Sequence, residues 1–492
     1  MGGLTRRAAL FGAGAVVGGV ATARWGAKNP VLPPVMTHVP QDGVLNDASG
    51  LSATPIHRHT ILRQDPGAAL VDAIRAEMAE AAANGRPVNV GAARHSMGGQ
   101  AIPREGHALT FDNGLLEADT VGLVYKVHAG ARWSQIIAAL DPLGLSPKVM
   151  QSNHDFGVAA TFCVNAHGWP VPLGPMGATV RAFEMVLPSG DLVRCSREEN
   201  ADLFALTMGG YGLTGAITAM EVEAAKNVLL EPTFQRLRAE DFGIAFTAAL
   251  SDPSVNMAYG RLNVERGAFF TEALLITYRA AADQSELPAA SGSGTMAKLA
   301  SRIYRAQLGN ETMKRVRWFT ETSVGPRLAG AATRNSLINE PVVTLDDRDP
   351  ARTDILHEYF VAPERFPEFL TVCRDVIPAS YQEFLNVTLR FIDTDPVSKL
   401  AYASVPRIAA VMSFSQEMSA RAEADMARMT RDLIDGIVAI GGTYYLPYRP
   451  HATVEQLERA YPGAAAFARA KRDLDPGLLF RNNLWDSYLG TL

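Results

Sequence analysis

The chain has 492 residues, 47% of them hydrophobic and 20% charged, and a net charge of −5. That length suggests more than one domain, and the acidic balance lacks the basic patch of a nucleic-acid binder, so no nucleic-acid partner is expected. Three cysteines, Cys163, Cys195 and Cys373, are too sparse for a disulfide framework, and no Cys/His spacing suits zinc, so no metal is expected.

Residues 1–27 read as a leader. Arg6-Arg7 precede Ala8-Ala9-Leu10-Phe11, and a small-residue run ends at Ala21-Thr22-Ala23. That is a charged n-region, a weakly apolar h-region and an A-x-A cleavage site. The paired arginines after Thr5 resemble a twin-arginine export signal. The run is too short and glycine-rich to span a bilayer comfortably. A periplasmic or secreted protein with no stable membrane span after cleavage is therefore expected; an uncleaved anchor or a disordered arginine-bearing tail is the alternative. Residues 28–55, rich in Pro, Gly and Asp, form an irregular lead-in.

From Ala68 to Asn84 the apolar Leu70, Ile74 and Met78 recur every four residues, one face of a helix, which Gly85 and Pro87 end. A short strand, Val88 to Val90, runs into a small-residue turn: Gly91, Ala92, Ala93, Arg94, His95, Ser96, then Gly99 and Gln100. Glycines at such a turn permit positive φ and let backbone N–H groups approach an anion. The alternative is a surface turn with a stray histidine. His107 to Asp112 and Leu123 to Ala129 read as strands, and Trp133 to Leu140 as a helix. This order fits a small α+β unit better than a long parallel run.

Residues 151–185 hold Gly157, Gly168, Gly174 and Gly177, with Asn165-Ala166-His167 before Gly168. Irregular backbone of that length is costly unless it lies against something, and a flat cofactor is one candidate. The apolar runs Phe183 to Leu187 and Leu192 to Cys195 flank Pro188-Ser189-Gly190-Asp191, a hairpin by turn chemistry. Asp202 to Met208 is a short helix. A third glycine loop, Gly209-Gly210-Tyr211-Gly212-Leu213-Thr214-Gly215-Ala216-Ile217-Thr218, then enters a strand.

Taken in order, these loops resemble the vanillyl-alcohol oxidase (PCMH-type) flavoprotein family. Gly91-x-x-Arg94-His95-Ser96-x-x-Gly99-Gln100 is similar to its diphosphate-binding turn. Asn165 to Gly168, with Gly174 and Gly177, resembles the segment that passes the flavin ring in alditol and aldonolactone oxidases. Gly212, Gly215 and Ile217 match its adenosine-diphosphate loop. Asp475-Pro476, Phe480 and Asn482-Asn483 resemble its C-terminal segment. The resemblance implies FAD as cofactor, attached covalently through His95 as in several members. It also implies an α+β fold: a two-subdomain FAD-binding domain over residues 56–228, a substrate domain over 229–440, and a returning segment over 441–492. Alternating strands with covering helices in the middle region predict an antiparallel sheet with one shielded face.

On the strand through Asn386 and Phe391, period two puts Asn386, Thr388 and Arg390 on one face, and Val387, Leu389 and Phe391 on the other. Arg390 stands where alditol-oxidase-like relatives have the arginine of a Glu-x-Arg pair; the glutamate position is Thr388. Arg449-Pro450-His451 resembles their Pro-His segment, with Val454 in place of a lysine. Arg390, Arg449 and His451 are thus the candidate catalytic residues, His451 as base. The implied activity is oxidation of a small CH–OH substrate (sugar, alditol, lactone or related alcohol) by hydride transfer to flavin N5, with oxygen or a quinone-type acceptor. Alternatives are a dehydrogenase or reductase acting on CH–NH or C=C groups without oxygen, and a non-catalytic flavin carrier.

Overall fold

The computed structural model describes residues 43–151, 153–292, 303–341, 349 and 351–492. The export signal expected over 1–27, and most of the lead-in, lie outside them.

Among the described residues three large sheets and a two-stranded one, Val44–Leu45 with Thr54–Pro55, make an α+β fold. The first is parallel, in the order β1 (Arg58–Leu62), β3 (His107–Phe111), β2 (Val88–Val90). Its middle strand is buried at every position, as a parallel strand covered on both faces must be. Helix α1 (Ala68–Ala83) packs on it through Leu70, Val71, Ile74, Met78 and Ala81. Each large apolar side chain so buried contributes about 1.5–3 kcal/mol. The helix stops at Asn84, and Gly85 takes φ 62° to turn the chain into β2.

The second sheet is antiparallel and places β4 (Leu116–Asp119), β5 (Val124–His128), β6 (Val180–Val186), β7 (Leu192–Ser196) and β8 (Ala216–Lys226) in the order β7-β6-β8-β5-β4. Helix α2 (Trp133–Leu140) buries Trp133, Ile136, Ile137 and Leu140 in the same core.

The third sheet is antiparallel too. Its strands are β9 (Leu229–Arg238), β10 (Val255–Leu262), β11 (Glu272–Ala280), β12 (Arg352–Val361), β13 (Glu383–Ile392) and β14 (Arg407–Glu417), in the order β9-β11-β10-β13-β14-β12. Short edge pairs at Ala332–Thr333 and Thr443–Tyr444 complete it. Val387, Leu389 and Phe391 of β13 face a core shared with α3 (Phe366–Val376) and α4 (Ala420–Ala439). The helices cover that face; on the other, Arg317 of the helix Glu311–Phe319 takes Asn386 and Tyr304 takes Ser413, so the end bearing Arg390 is left for something else. Among the described residues no helix is long and apolar enough to cross a membrane.

Candidate active site

The uncovered part of the third sheet looks across a cleft at the glycine loops. The cleft encloses about 1510 Å³ including its mouth. Gly91, Ala92, Ala93, Arg94, His95, Ser96 and Gln100 line it from the first loop, His167 from the second, and Gly212, Gly215 and Ile217 from the third. Leu356, Glu358, Arg390 and Val411 line it from the sheet, and Tyr445, Pro447 and Tyr448 from the C-terminal segment.

The first loop shows which donors are free for a ligand. Gly91 donates its N–H to Leu109 O at 2.8 Å, and a side chain there would meet Ala101 O at 2.9 Å. The amides of Met97, Gly98 and Gly99 are spent on Pro447 O, Gln100 Oε1 and Asp47 Oδ2. Gly99 lines no part of the cleft; its φ is 69°, and a Cβ would lie 2.1 Å from Asn483 Nδ2. Its smallness serves chain packing. Gln100 donates through Nε2 to Leu446 O at 2.7 Å and Tyr448 O at 2.9 Å, pinning the C-terminal segment across the loop.

Arg94 carries the strongest sign of an anionic guest. It is buried and takes the left-handed φ of 52°, a strained backbone for a residue of its size. One Nη donates to Thr110 Oγ1 at 3.3 Å, while Nε has no partner. Burial, helped by the charge of Arg132, pushes its pKa down to about 10, so it stays a cation near neutrality. Among the described residues no carboxylate forms an ion pair with it. A buried, half-satisfied cation is expensive, and a diphosphate would satisfy it. The residues therefore fit an anionic dinucleotide.

Other loop residues act from behind. Asn165, at φ 46°, accepts from Gly177 N at 2.8 Å and donates to Asp395 Oδ2 at 2.8 Å and Ser398 Oγ at 2.9 Å. Gly168 sits so close to Met150 that a Cβ would lie 1.9 Å from its carbonyl oxygen, and a Cβ on Gly174 would lie 3.1 Å from Thr394 O. Asn482 caps the helix Asn483–Ser487 and donates to Tyr211 O at 2.9 Å, which fixes the third loop. Asn165, Gly168, Gly174, Gly177 and Asn482 do not line the cleft. His95 does, half-buried, with its ring centroid 4.3 Å from that of Phe156.

The polar centre of the opposite wall is Glu358. Its Oε1 makes a short hydrogen bond with His167 Nε2, and Tyr448 OH donates to Oε2 at 3.2 Å. Both members of the pair are buried. Arg390 donates to His167 O at 3.2 Å. Burial lowers the pKa of its guanidinium, and the Glu358 charge works against that. Burial first, then the Glu358 charge, raises the Tyr448 pKa well above the usual phenol range, so it remains a donor. The rings of Phe360, Tyr402 and Tyr445 surround His167 at 5.7, 6.0 and 6.1 Å.

Register explains the pairing. Thr388 of β13 stands opposite Val411 of β14, and Val411 stands opposite Glu358 of β12. Cross-strand partners point to one face, so Glu358 lies on the same row as Thr388, two strands over. Chain-order reasoning looked for the carboxylate at 388 and missed it. The available signal was an acidic residue leading into the apolar Tyr359-Phe360-Val361; a buried carboxylate there needs a reason.

Arg449 and His451 are not brought to the cleft. Arg449 donates to Glu423 Oε1 at 2.6 Å, to Ser52 Oγ at 3.1 Å and to Met97 O at 3.1 Å. His451 pairs Nε2 with the same Glu423 oxygen at 2.8 Å and Nδ1 with Thr430 Oγ1 at 3.2 Å. Glu423 sits near the start of α4. The pair braces the C-terminal segment against that helix and the first loop.

Comparison with known proteins bears on the loop-bearing half. Residues 68–196 match the model of a family described as FAD binding domain. The chain is 31% identical over 202 residues to L-galactono-1,4-lactone dehydrogenase 1, mitochondrial, of Oryza sativa subsp. japonica, covering 40% of this chain and 34% of that protein. It is 30% identical over 135 residues to cytokinin dehydrogenase 9 of the same plant, 26% of each chain. It is 27% identical over 112 residues to a putative D-arabinono-1,4-lactone oxidase of Neurospora crassa, 23% of this chain and 20% of that one. The matched stretches thus span about a third or less of the length of these relatives.

Proposed function

We propose, from the premise that residues 68–196 form a PCMH-type FAD-binding domain, that the protein is an FAD-dependent oxidoreductase acting on a CH–OH group. The observation that carries this reading is convergence. Three glycine loops distant in the chain line one cleft, and buried Glu358 and Arg390 of the third sheet face them, both bonded to His167 of the second loop. In this reading residues 56–228, with 441–492, make a two-subdomain cofactor domain, and residues 229–440 make the substrate domain.

FAD, when bound, would supply the hydride acceptor. Arg94 and the amides of residues 92–96 would hold its diphosphate, Gly212, Gly215 and Ile217 its adenosine half, and His95 and His167 its ring end. Glu358 is the group that takes the hydroxyl proton of the substrate, and His167, already sharing a hydrogen bond with it, passes that proton on. Tyr448 holds the Glu358 carboxylate in place. Arg390 supplies the positive charge that favours oxyanion character at the reacting oxygen. The aromatic rings around His167 keep water from the proton path.

Two relatives named for aldonolactones support a sugar-, alditol- or lactone-type alcohol as substrate. Oxygen or a quinone-type carrier would take the electrons away, and the flavin bond would run through His95. The likeness to a cytokinin dehydrogenase favours CH–NH oxidation as the second reading. Residues 1–27 would carry the folded, cofactor-loaded protein out of the cytoplasm.

The test is anaerobic mixing of the purified yellow protein with a panel of alcohols, lactones and amines. Bleaching of the visible flavin band by a CH–OH compound supports the reading, and peroxide on re-aeration assigns an oxidase. A folded protein that takes up no FAD refutes it. Acid precipitation reads the bond: colour stays in the pellet for wild type and leaves it in His95→Ala.

A further inference from the structure

We infer, building on the oxidoreductase reading, that the substrate carries a carboxylate or similar small anionic group and that Arg261 binds it. Arg261 lies on β10 directly opposite Thr388. The row of side chains on the cleft face is therefore Arg261, Thr388, Val411, Glu358, in that order across four strands. Three strand spacings separate its ends, roughly 14 Å between backbones. Glu358 and Val411 line the cleft, and Val411, Thr388 and Arg261 are each half-buried. Thr388 and Arg261 thus carry that row on from Val411, past the residues that line the cleft.

The donors of Arg261 are only half used. One Nη donates to Asn386 Oδ1 at 2.9 Å and to Thr388 Oγ1 at 2.7 Å. Both acceptors are neutral and hold the guanidinium flat along the sheet. Its other Nη and its Nε meet no acceptor among the described residues and stay open to solvent. Glu321, whose carboxyl feels the Arg261 charge, is itself bonded to Arg317 at 2.8 Å. Arg390, on the next row of the same face, feels the like charge of Arg261. Two guanidiniums on one partly desolvated face add to the attraction that face has for an anion. A planar fork with two open donors is the geometry that binds a carboxylate.

The remaining groups suit the rest of such a molecule. Tyr259, one residue pair along β10, carries the Arg261 guanidinium 5.6 Å from its ring centroid, and Trp169 packs on Tyr259 at 4.6 Å. Beside Arg261, the Thr388 hydroxyl accepts from the guanidinium and keeps its own proton to donate to a hydroxylated chain. A hydroxy acid whose alcohol meets Glu358 and whose carboxylate reaches Arg261 would fill the row.

The test uses the full-length, flavin-loaded protein and matched pairs of probes: glycolate against ethylene glycol, lactate against propane-1,2-diol, gluconate against glucitol. Saturable perturbation of the flavin spectrum under anaerobic conditions reports binding without turnover. At least one acid is expected to bind ten-fold or more tighter than its neutral partner. Arg261→Met should erase that preference, Arg261→Lys should keep most of it, and binding of the neutral probes should be unmoved. Thermal melting confirms that the variants fold. No acid preferred over its partner, or a preference that survives Arg261→Met, overturns the inference. Such a result leaves the yellow colour and the dependence on Glu358 standing, so it is distinct from failure of the oxidoreductase reading.

Discussion

Two of the histidine–glutamate pairs among the described residues do different work. His167–Glu358 lies in the cleft, its carboxylate partnered by one imidazole and one phenol. His451–Glu423 lies outside it, its carboxylate taken by His451, Arg449 and Gln416 at 2.8, 2.6 and 2.7 Å. Residue type alone does not separate them. What separates them is the partner set: a carboxylate locked by three charged or amide donors outside the cleft has little acceptor capacity left for a substrate, and its histidine is a strut. Glu358 has fewer partners and a ligand-sized space in front of it.

The comparison breaks most sharply at Glu358. Glu358→Gln should lower kcat by roughly 10²–10⁴ while flavin content and melting temperature hold. If Glu423→Gln does this and Glu358→Gln does not, the assignment of roles is inverted. Because Thr388 shares the row, Thr388→Glu in a Glu358→Ala background should recover part of the lost rate. No recovery would mean that the row does not present both positions to the same substrate atom.

Glu423→Gln should instead cost stability, about 1.5–3 kcal/mol for a carboxylate with charged hydrogen-bond donors. Urea unfolding measures it, and kcat should be unchanged. The same site sets an acid sensitivity. Burial raises the Glu423 pKa, but hydrogen bonds from His451, Arg449 and Gln416 outweigh it and hold the group well below the ordinary carboxylate range. A carboxylate depressed in the folded state contributes stability that is present above its unfolded pKa, near 4.3, and is lost as pH falls further. The stability gap between wild type and Glu423→Gln should therefore close below about pH 4.3; a gap that widens on acidification would contradict the bonding seen here. The smallest effect is expected for Arg449→Lys, which keeps the charge but loses the fork that reaches Ser52, Met97 and Glu423 together; a loss of about 1 kcal/mol or less should appear.

Much of the local architecture is legible in the chain. Helix α1 follows from apolar residues every four positions, β13 from strict alternation, and the first loop from small residues beside a strand end. Those signals are local because helix and strand periodicities span only a few residues. The face of β13 that carries Arg390 is legible for the same reason, since period two needs no knowledge of neighbours. Turn chemistry marks Gly91 to Ser96 as an anion cradle, whereas the placing of His167, Gly212, Gly215 and Ile217 at the cofactor is what the family resemblance implied.

Only the tertiary structure decided the rest. Glu358 meets Arg390 and His167 because β14 lies between β13 and β12, and no local pattern encodes which strands become neighbours or in what register. Arg449 and His451 carry the residue types of a catalytic pair, yet α4 supplies Glu423 and draws them away from the cleft. Gly99 has the look of a ligand-binding glycine, yet Asp47 takes its amide and Asn483 fills the space a side chain would need. In each case the deciding partner is remote in sequence. A polar group's role depends on which donors and acceptors reach it first, and long-range strand and helix packing determines that.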